Sequence, residues 1–176
     1  AIVFAALYRS GSVLPILCAM AVHELAHVVM MLACGGQVRR LTLRFADFQI
    51  AASGLGYRQE LLSALAGPLV NLICGAAFCM QRPSFAAYSL MLGIYNLLPV
   101  WPLDGGRMIR CVLLARLPIT QAEHISEIVS FAACAVLLLI GVFLTFFRKS
   151  GLWPLGTAAY LTVRLLMLAR RTDTVQ

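Results

Sequence analysis

Charged residues are scarce in this sequence. Only 12% of its 176 residues are Asp, Glu, Lys or Arg, whereas 61% are hydrophobic, and the mean hydropathy is +0.89. Soluble domains contain about 25% charged residues and about 45–50% apolar ones. A soluble domain of this length cannot bury so many apolar residues in its core. The composition therefore excludes an ordinary soluble domain and predicts a membrane protein.

Paired cysteines are also lacking. The six cysteines stand singly in apolar stretches, and no two of them form a C-x-x-C pair. Isolated cysteines in such surroundings behave as small buried hydrophobic residues. A disulfide framework and a thiolate zinc site are therefore both disfavoured, which leaves His, Asp and Glu as the candidate metal ligands.

Long apolar runs dominate what remains. About 20 residues are needed to cross a bilayer, so the chain has room for about five or six crossings. We expect an all-α polytopic membrane bundle with about five to six transmembrane helices. We also expect one domain over residues 1–176, with no PDZ or CBS domain and with residues 1–8 as the remnant of a truncated N-terminal helix. The five longer runs are Val13–Cys34, Leu61–Met80, Phe85–Leu98, Ile125–Phe147 and Leu152–Leu168.

A different pattern separates the first two runs. Leu41, Leu43 and Phe45 alternate with polar or small residues, and the alternation changes phase at Ala46 and Asp47. A period of two residues is typical of a β-strand. We therefore predict a small β-hairpin or strand element within Leu41–Ile50, between the first two full helices.

The basic residues predict how the bundle is oriented. If the first full helix runs inward, ten arginines fall on the inner side, and three arginines and one lysine fall on the outer side. Cytoplasmic loops carry an excess of Lys and Arg. This places the strand element and the region around Pro99–Arg116 on the cytoplasmic side. The net charge of +7 is then explained by topology and lipid headgroups, and nucleic-acid binding is not indicated.

The first apolar run contains the sequence His-Glu-Leu-Ala-His. His23 and His27 are four residues apart, so on a helix their imidazoles lie on one face and can converge on one metal ion. Glu24 lies just off that face, where it can accept a proton from a water at the metal. A chance occurrence of the motif is the alternative. Ionisable side chains in one turn of a membrane helix are energetically unfavourable unless they are paired or bind a metal. Their presence here therefore favours a zinc site.

A catalytic zinc site needs a third protein ligand. Asp104 is the best candidate, because prolines at 99 and 102 interrupt the third run and Gly105 and Gly106 follow the acid. Non-helical backbone within the membrane is tolerated where it is buried in protein or lines a cavity, so an acid at such a break indicates a site. Asp104 could instead cap a helix that begins at Gly105 or Gly106. Glu123 and Glu127 are the rival ligands, although they flank His124 in a polar segment before the fourth run.

These motifs together resemble the site-2 protease family of M50-type intramembrane zinc metalloproteases. The resemblance is carried by His-Glu-Leu-Ala-His, by Ala-Gly-Pro-Leu-Val-Asn ending at Asn71, and by the Asn96–Arg107 segment with Leu-Asp-Gly-Gly-Arg. It implies that His23, His27 and Asp104 bind one zinc ion per chain and that Glu24 is the general base. It further implies that Asn71 and Asn96 support substrate binding or the transition state. No PDZ module is inserted between the two main motifs, and in this respect the sequence is similar to the compact branch that includes the stage IV sporulation metalloproteases.

The resemblance also implies a function, which is cleavage of a peptide bond within or near a transmembrane segment. The expected substrate is a membrane-tethered regulatory protein, such as a transcription-factor precursor, and a regulatory membrane protein is a further expected partner. The expected location is a bacterial membrane, with the active site nearer the cytoplasmic side. Two alternatives stay open at this stage: a catalytically inactive family member that acts as a membrane binding partner, and an ion transporter. The intact Glu24 argues against the first, and the concentration of charges in two motifs argues against the second.

Overall fold

The chain divides into two compact units, Ala1–Leu97 and Leu98–Gln176. In this computed structural model, residues 13–44, 47–53, 55–146 and 153–173 are described. The predicted helix remnant at residues 1–8 lies outside the described residues. Each unit is built around its own helices, and each carries a different part of the predicted metal site.

Three helices form the framework of the first unit. They are α1 (Val13–Ala33), α2 (Tyr57–Ala77) and α3 (Pro83–Asn96), and all three pack on one another. The Gln59 side chain ties α1 to α2, because its amide donates to the Cys34 carbonyl and its oxygen accepts from the Gly56 N–H. Small residues at the contacts let these helices approach closely, as is usual in membrane bundles. A Cβ added at Gly93, for example, would lie 3.0 Å from the Pro68 carbonyl oxygen.

Two strands lie between α1 and α2. They are β1 (Gln37–Arg44) and β2 (Asp47–Ser53), which form an antiparallel pair. The pairing runs from Gln37 opposite Ser53 to Arg44 opposite Asp47. The register is interrupted between Val38 and Arg40. The paired backbone is thus longer than the Leu41–Ile50 segment that the alternation indicated, because strand pairing depends on main-chain hydrogen bonds and does not require alternating side chains.

The second unit contains three further helices. They are α4 (Asp104–Leu114), α5 (Ile119–Phe146) and α6 (Trp153–Asp173), with α5 packed against both α4 and α6. A non-helical segment precedes α4, and it includes a cis peptide bond between Trp101 and Pro102. Asp104 is therefore the first residue of a helix that follows an irregular segment.

The predicted fold class is wrong in its number of membrane-spanning helices. Among the described residues, six helices are present, and three of them (α1, α2 and α5) are long and apolar enough to cross a membrane. α3 has only 14 residues, a length of about 21 Å against a hydrocarbon core of about 30 Å. In α6, the described residues include the shorter apolar helical stretch Leu155–Met167. The sequence identified these runs correctly as apolar, but the third run, like α3, has only 14 residues and is too short to be counted as a full crossing.

A charge placed on the outward face of α5 tests its assignment as a membrane span. Leu139 is 71% exposed in the most apolar of the three candidate spans. We predict that Leu139→Asp weakens insertion of the isolated α5 segment by about 3 kcal/mol, because an ionised carboxylate enters hydrocarbon. Glycosylation mapping of the segment in a host membrane protein measures this, with Leu139→Ala as the matched control. Equal insertion of the two variants would show that α5 does not lie across the bilayer.

Candidate metal site

The two motif histidines lie on the buried face of α1. Ala19, His23, His27 and Met31 recur every four residues and are all buried, with His23 4% and His27 6% exposed. The imidazoles meet edge to face, with ring centroids 4.7 Å apart, and their Nε2 atoms are separated by 3.1 Å. One nitrogen of each ring is thus directed toward the same point.

The other nitrogen of His27 is held by α2. His27 Nδ1 lies 2.7 Å from the carbonyl oxygen of Ser63, which can only accept, so Nδ1–H donates. The Ser63 hydroxyl in turn donates to the His27 carbonyl at 3.3 Å. This contact assigns the His27 proton to Nδ1, so Nε2 carries no proton and its lone pair can coordinate a metal.

The other nitrogen of His23 also faces α2. Its Nδ1 lies 3.2 Å from the side-chain nitrogen of Asn71, a residue with no exposed surface. Ser63 and Asn71 are eight residues apart on the same face of α2, and Gly67 lies midway between them. α2 therefore presents one hydrogen-bonding group to each imidazole.

Gly67 allows α2 to come close enough for these contacts. A Cβ at this position would lie 2.9 Å from Cε1 of His23 and closer still to the His27 ring. Any side chain here would displace the imidazoles, so a glycine is required for the observed packing.

Asp104 starts α4 in the second unit. It is 7% exposed, and Arg107 Nη1 lies 3.4 Å from its Oδ1. The N-terminus of a helix favours a negative charge, as does the neighbouring guanidinium. Both features stabilise the ionised carboxylate, which is the form that binds a metal. Leu103, and not Asp104, is the N-cap of α4, so the alternative in which Asp104 serves as a helix cap is wrong.

The segment before Asp104 is fixed against its own unit. The Trp101 N–H donates to the Ser130 hydroxyl at 3.1 Å, and that hydroxyl donates to the Ser126 carbonyl at 2.8 Å. Arg110 lies over the Trp101 ring, 5.7 Å from its centroid, and forms an ion pair with Glu123. A Cβ at Gly106 would lie 2.6 Å from the Val100 carbonyl carbon. The carboxylate is therefore carried on well-supported backbone.

The donor set of His23, His27 and Asp104 suits a divalent metal ion. Each residue offers one ligand atom, and each is buried in its own unit. Two nitrogens bound to one tetrahedral zinc are about 3.3 Å apart, given Zn–N distances of about 2.0–2.1 Å. The observed Nε2 separation of 3.1 Å is close to that value. Two imidazoles and a carboxylate also match the ligand types of catalytic zinc sites.

The other residues predicted for the site lie elsewhere or at its edge. Glu24 follows His23 on α1 and is half-buried. Asn96 ends α3, and its side-chain nitrogen donates to the Leu92 carbonyl at 3.0 Å. The rival ligands Glu123 and Glu127 are not in the group with the histidines. Glu123 is bound to Arg110, and Glu127 is exposed, as is His124.

The sequence analysis assigned no role in the site to Ser63 or to Gly67. Ser63, Gly67, Asn71 and Gly75 recur every four residues along α2 and are all buried. A period of four with small or polar residues indicates a helix face that packs closely on a neighbour. This period was the available signal for the surface that contacts the histidines.

The packing at Gly67 leads to a prediction for metal binding. We expect Gly67→Ala to reduce zinc stoichiometry sharply, because its methyl group would occupy the space of the His27 ring. Gly156→Ala is the matched control, since a Cβ there would meet nothing within 4 Å. Zinc analysis of both purified variants measures the effect. Full zinc content in Gly67→Ala would mean that the imidazoles can bind the ion from another position.

Comparisons with known proteins agree with this site. Peptidase family M50 matches residues 80–140, which include Asp104. A zinc metalloprotease of Methanocaldococcus jannaschii is 26% identical over 133 residues, covering 68% of this chain and 39% of the relative. Stage IV sporulation protein FB of Bacillus subtilis is 28% identical over 138 residues, covering 71% of this chain and 47% of the relative. The chain thus spans less than half the length of these two relatives.

A solved structure supports the fold. The site-2 protease from Methanocaldococcus jannaschii matches with a TM-score of 0.67 at 20% identity, over 88% of this chain and 75% of that one. The family match includes the motif around Asp104, and the solved structure supports the fold. The resemblance predicted from the motifs is confirmed, because the chain is similar to peptidase family M50 and to a solved site-2 protease.

Proposed function

We propose that this chain is a zinc endopeptidase that cleaves a peptide bond within or near a transmembrane segment of another protein. Similarity to peptidase family M50 and three helices that can cross a membrane support an integral membrane protein. The observation that carries the proposal is the convergence of two buried imidazole Nε2 atoms, those of His23 and His27. Burying such groups in an apolar bundle is unfavourable unless they are paired or bind a metal.

In this proposal His23, His27 and Asp104 hold the zinc. The hydrogen bond from His27 Nδ1 to Ser63 and the ion pair from Arg107 to Asp104 orient two of the three ligands. Bound zinc supplies Lewis acidity, which polarises the scissile carbonyl and makes water a better nucleophile at neutral pH. One of the relatives is a zinc metalloprotease, which is consistent with this assignment.

Glu24 is the proposed general base. It is one residue from His23, about 100° around the helix, so it lies beside the face that carries the histidines without sharing it. Its partial exposure lets water reach the carboxylate. Glu24 would accept a proton from the attacking water and later donate it to the leaving amine.

Asn96 is a candidate for substrate contact. It is half-buried at the end of α3, just before the segment that leads to Asp104. One hydrogen of its NH₂ group is used by the Leu92 carbonyl, and an amide nitrogen has a second hydrogen to donate. That hydrogen could bind the carbonyl oxygen of a substrate peptide.

The proposed substrate is a membrane-tethered regulatory protein, such as the precursor of a transcription factor. A transmembrane helix uses its peptide groups in its own hydrogen bonds, so it must unwind locally before its carbonyl can be attacked. The excess of arginine on one side of the helices favours cleavage nearer the cytoplasmic side. Similarity to a sporulation protein supports a regulatory role in a bacterial membrane.

Replacement of the general base should separate metal binding from catalysis. We predict that Glu24→Gln keeps zinc and the fold but lowers cleavage of a membrane substrate by about 10²–10⁴-fold, the usual contribution of general acid–base catalysis. A fluorescent transmembrane peptide in detergent or liposomes measures the rate. If Glu24→Gln cleaves at the wild-type rate, Glu24 is not the base.

Replacement of single ligands should empty the site. We predict that His23→Ala, His27→Ala and Asp104→Ala each lower zinc stoichiometry, because each removes one donor of a tetrahedral site. Glu123→Ala and Glu127→Ala are the matched controls and should retain zinc. The assignment would be contradicted if Glu127→Ala lost the metal while Asp104→Ala kept it.

A further inference from the structure

Asn71 is the most completely buried polar side chain beside the histidines. It has no exposed surface, its nitrogen lies 3.2 Å from His23 Nδ1, and its oxygen Oδ1 has no hydrogen-bond partner among the described residues. A buried amide oxygen without a hydrogen-bond partner is energetically unfavourable. The contact therefore calls for an explanation beyond packing.

We propose that Asn71 is a positioning residue that accepts a hydrogen bond from His23 Nδ1–H through Oδ1. The hydrogen bond holds the His23 proton on Nδ1 and leaves Nε2 as the metal-binding lone pair. This inference rests on the proposed role of His23 as a zinc ligand. It differs from the role that the family resemblance implied for Asn71, which was contact with the substrate.

The direction of this hydrogen bond follows from the tautomer. If the Asn71 amide donated to Nδ1, the neutral His23 would carry its proton on Nε2, and that nitrogen could not bind a metal. The two ends of an amide have nearly the same shape, so a rotation of the group by 180° exchanges donor and acceptor without moving neighbouring atoms. With Oδ1 facing His23, both imidazoles have Nδ1–H donating to oxygen and Nε2 available.

His27 shows the same arrangement with a different acceptor. Its Nδ1–H donates to the Ser63 carbonyl, a main-chain group that any residue at 63 would supply. His23 lies opposite Asn71, where the acceptor has to come from a side chain. The identity of residue 71 therefore matters for metal binding, whereas the contact to His27 is provided by the backbone.

Three variants distinguish orientation from packing. Asn71→Leu has nearly the same shape but no hydrogen-bonding group, and Asn71→Asp has an acceptor only. We expect Asn71→Leu to bind zinc about 10–100-fold more weakly than wild type, the usual effect of removing a group that orients a metal-bound histidine. Asn71→Asp should restore most of that affinity. Ser89→Ala is the control, since Ser89 is also fully buried and lies on α3. Competition with a chromophoric zinc chelator measures the dissociation constants.

A spectroscopic measurement on a protein with an intact site completes the test. The chain has three histidines, and His124 is exposed, so His124→Ala leaves His23 and His27 as the two observable imidazoles. Nitrogen-15 NMR of the zinc-loaded His124→Ala protein should show both imidazoles protonated at Nδ1. This result requires no substitution at position 71, so it does not depend on the folding of those variants.

The outcomes separate the two proposals. Equal zinc affinity of wild type and Asn71→Leu, or an Nε2–H signal in the zinc-loaded protein, would overturn the role of Asn71 while zinc binding itself stands. Failure of Asn71→Asp to bind better than Asn71→Leu would also overturn it, since an acceptor would then have no effect. A wild-type protein that binds no zinc would instead overturn the proposed function.

Discussion

Two imidazoles are buried between apolar helices, and each brings two nitrogens that need partners. The Nδ1 atoms face α2, where Ser63 and Asn71 meet them. The Nε2 atoms face each other at 3.1 Å. Two acceptor lone pairs so close together repel unless a proton or a cation lies between them. The buried histidine pair thus explains why α2 has the residues it has, and a cation between the two Nε2 atoms would satisfy both lone pairs.

The composition of α2 follows from this requirement. Its side facing α1 must be close enough for a main-chain carbonyl to reach a histidine ring, and Gly67 makes that approach possible. Gln59 fixes the start of α2 to the end of α1, so the register of the two helices is held at one end by its amide and in the middle by the Ser63–His27 pair. A helix with larger residues at these positions would keep its hydrophobicity but lose the site.

In the second unit, the surrounding residues likewise hold the Asp104 carboxylate in place. Asp104 is placed at a helix start, beside Arg107, and behind a segment that Ser130 and Arg110 support. The helix terminus and the guanidinium favour the charged form, and the backbone contacts limit its movement. Positional accuracy of this kind is what a metal ligand and a catalytic centre both require.

Local chemistry could be predicted from the sequence because the geometry of His-Glu-x-x-His is contained in one helical turn. Asp104 was predicted because few acids are present and only this one follows a proline-broken apolar run. The Ser63 carbonyl could not be predicted, since a main-chain atom leaves no trace in residue identity. The predicted number of membrane spans was wrong because it was estimated from chain length, whereas α3, from Pro83 to Asn96, is too short to cross a bilayer.

The central claim is that one zinc ion is bound by two imidazole nitrogens and one carboxylate. X-ray absorption at the zinc edge of the purified protein tests it most directly, because it reports the ligand atoms without any substitution. The account predicts one zinc per chain with nitrogen and oxygen neighbours at about 2.0–2.2 Å and the multiple scattering of about two imidazoles. A sulfur shell at about 2.3 Å would contradict it, since one of the six cysteines would then hold the metal.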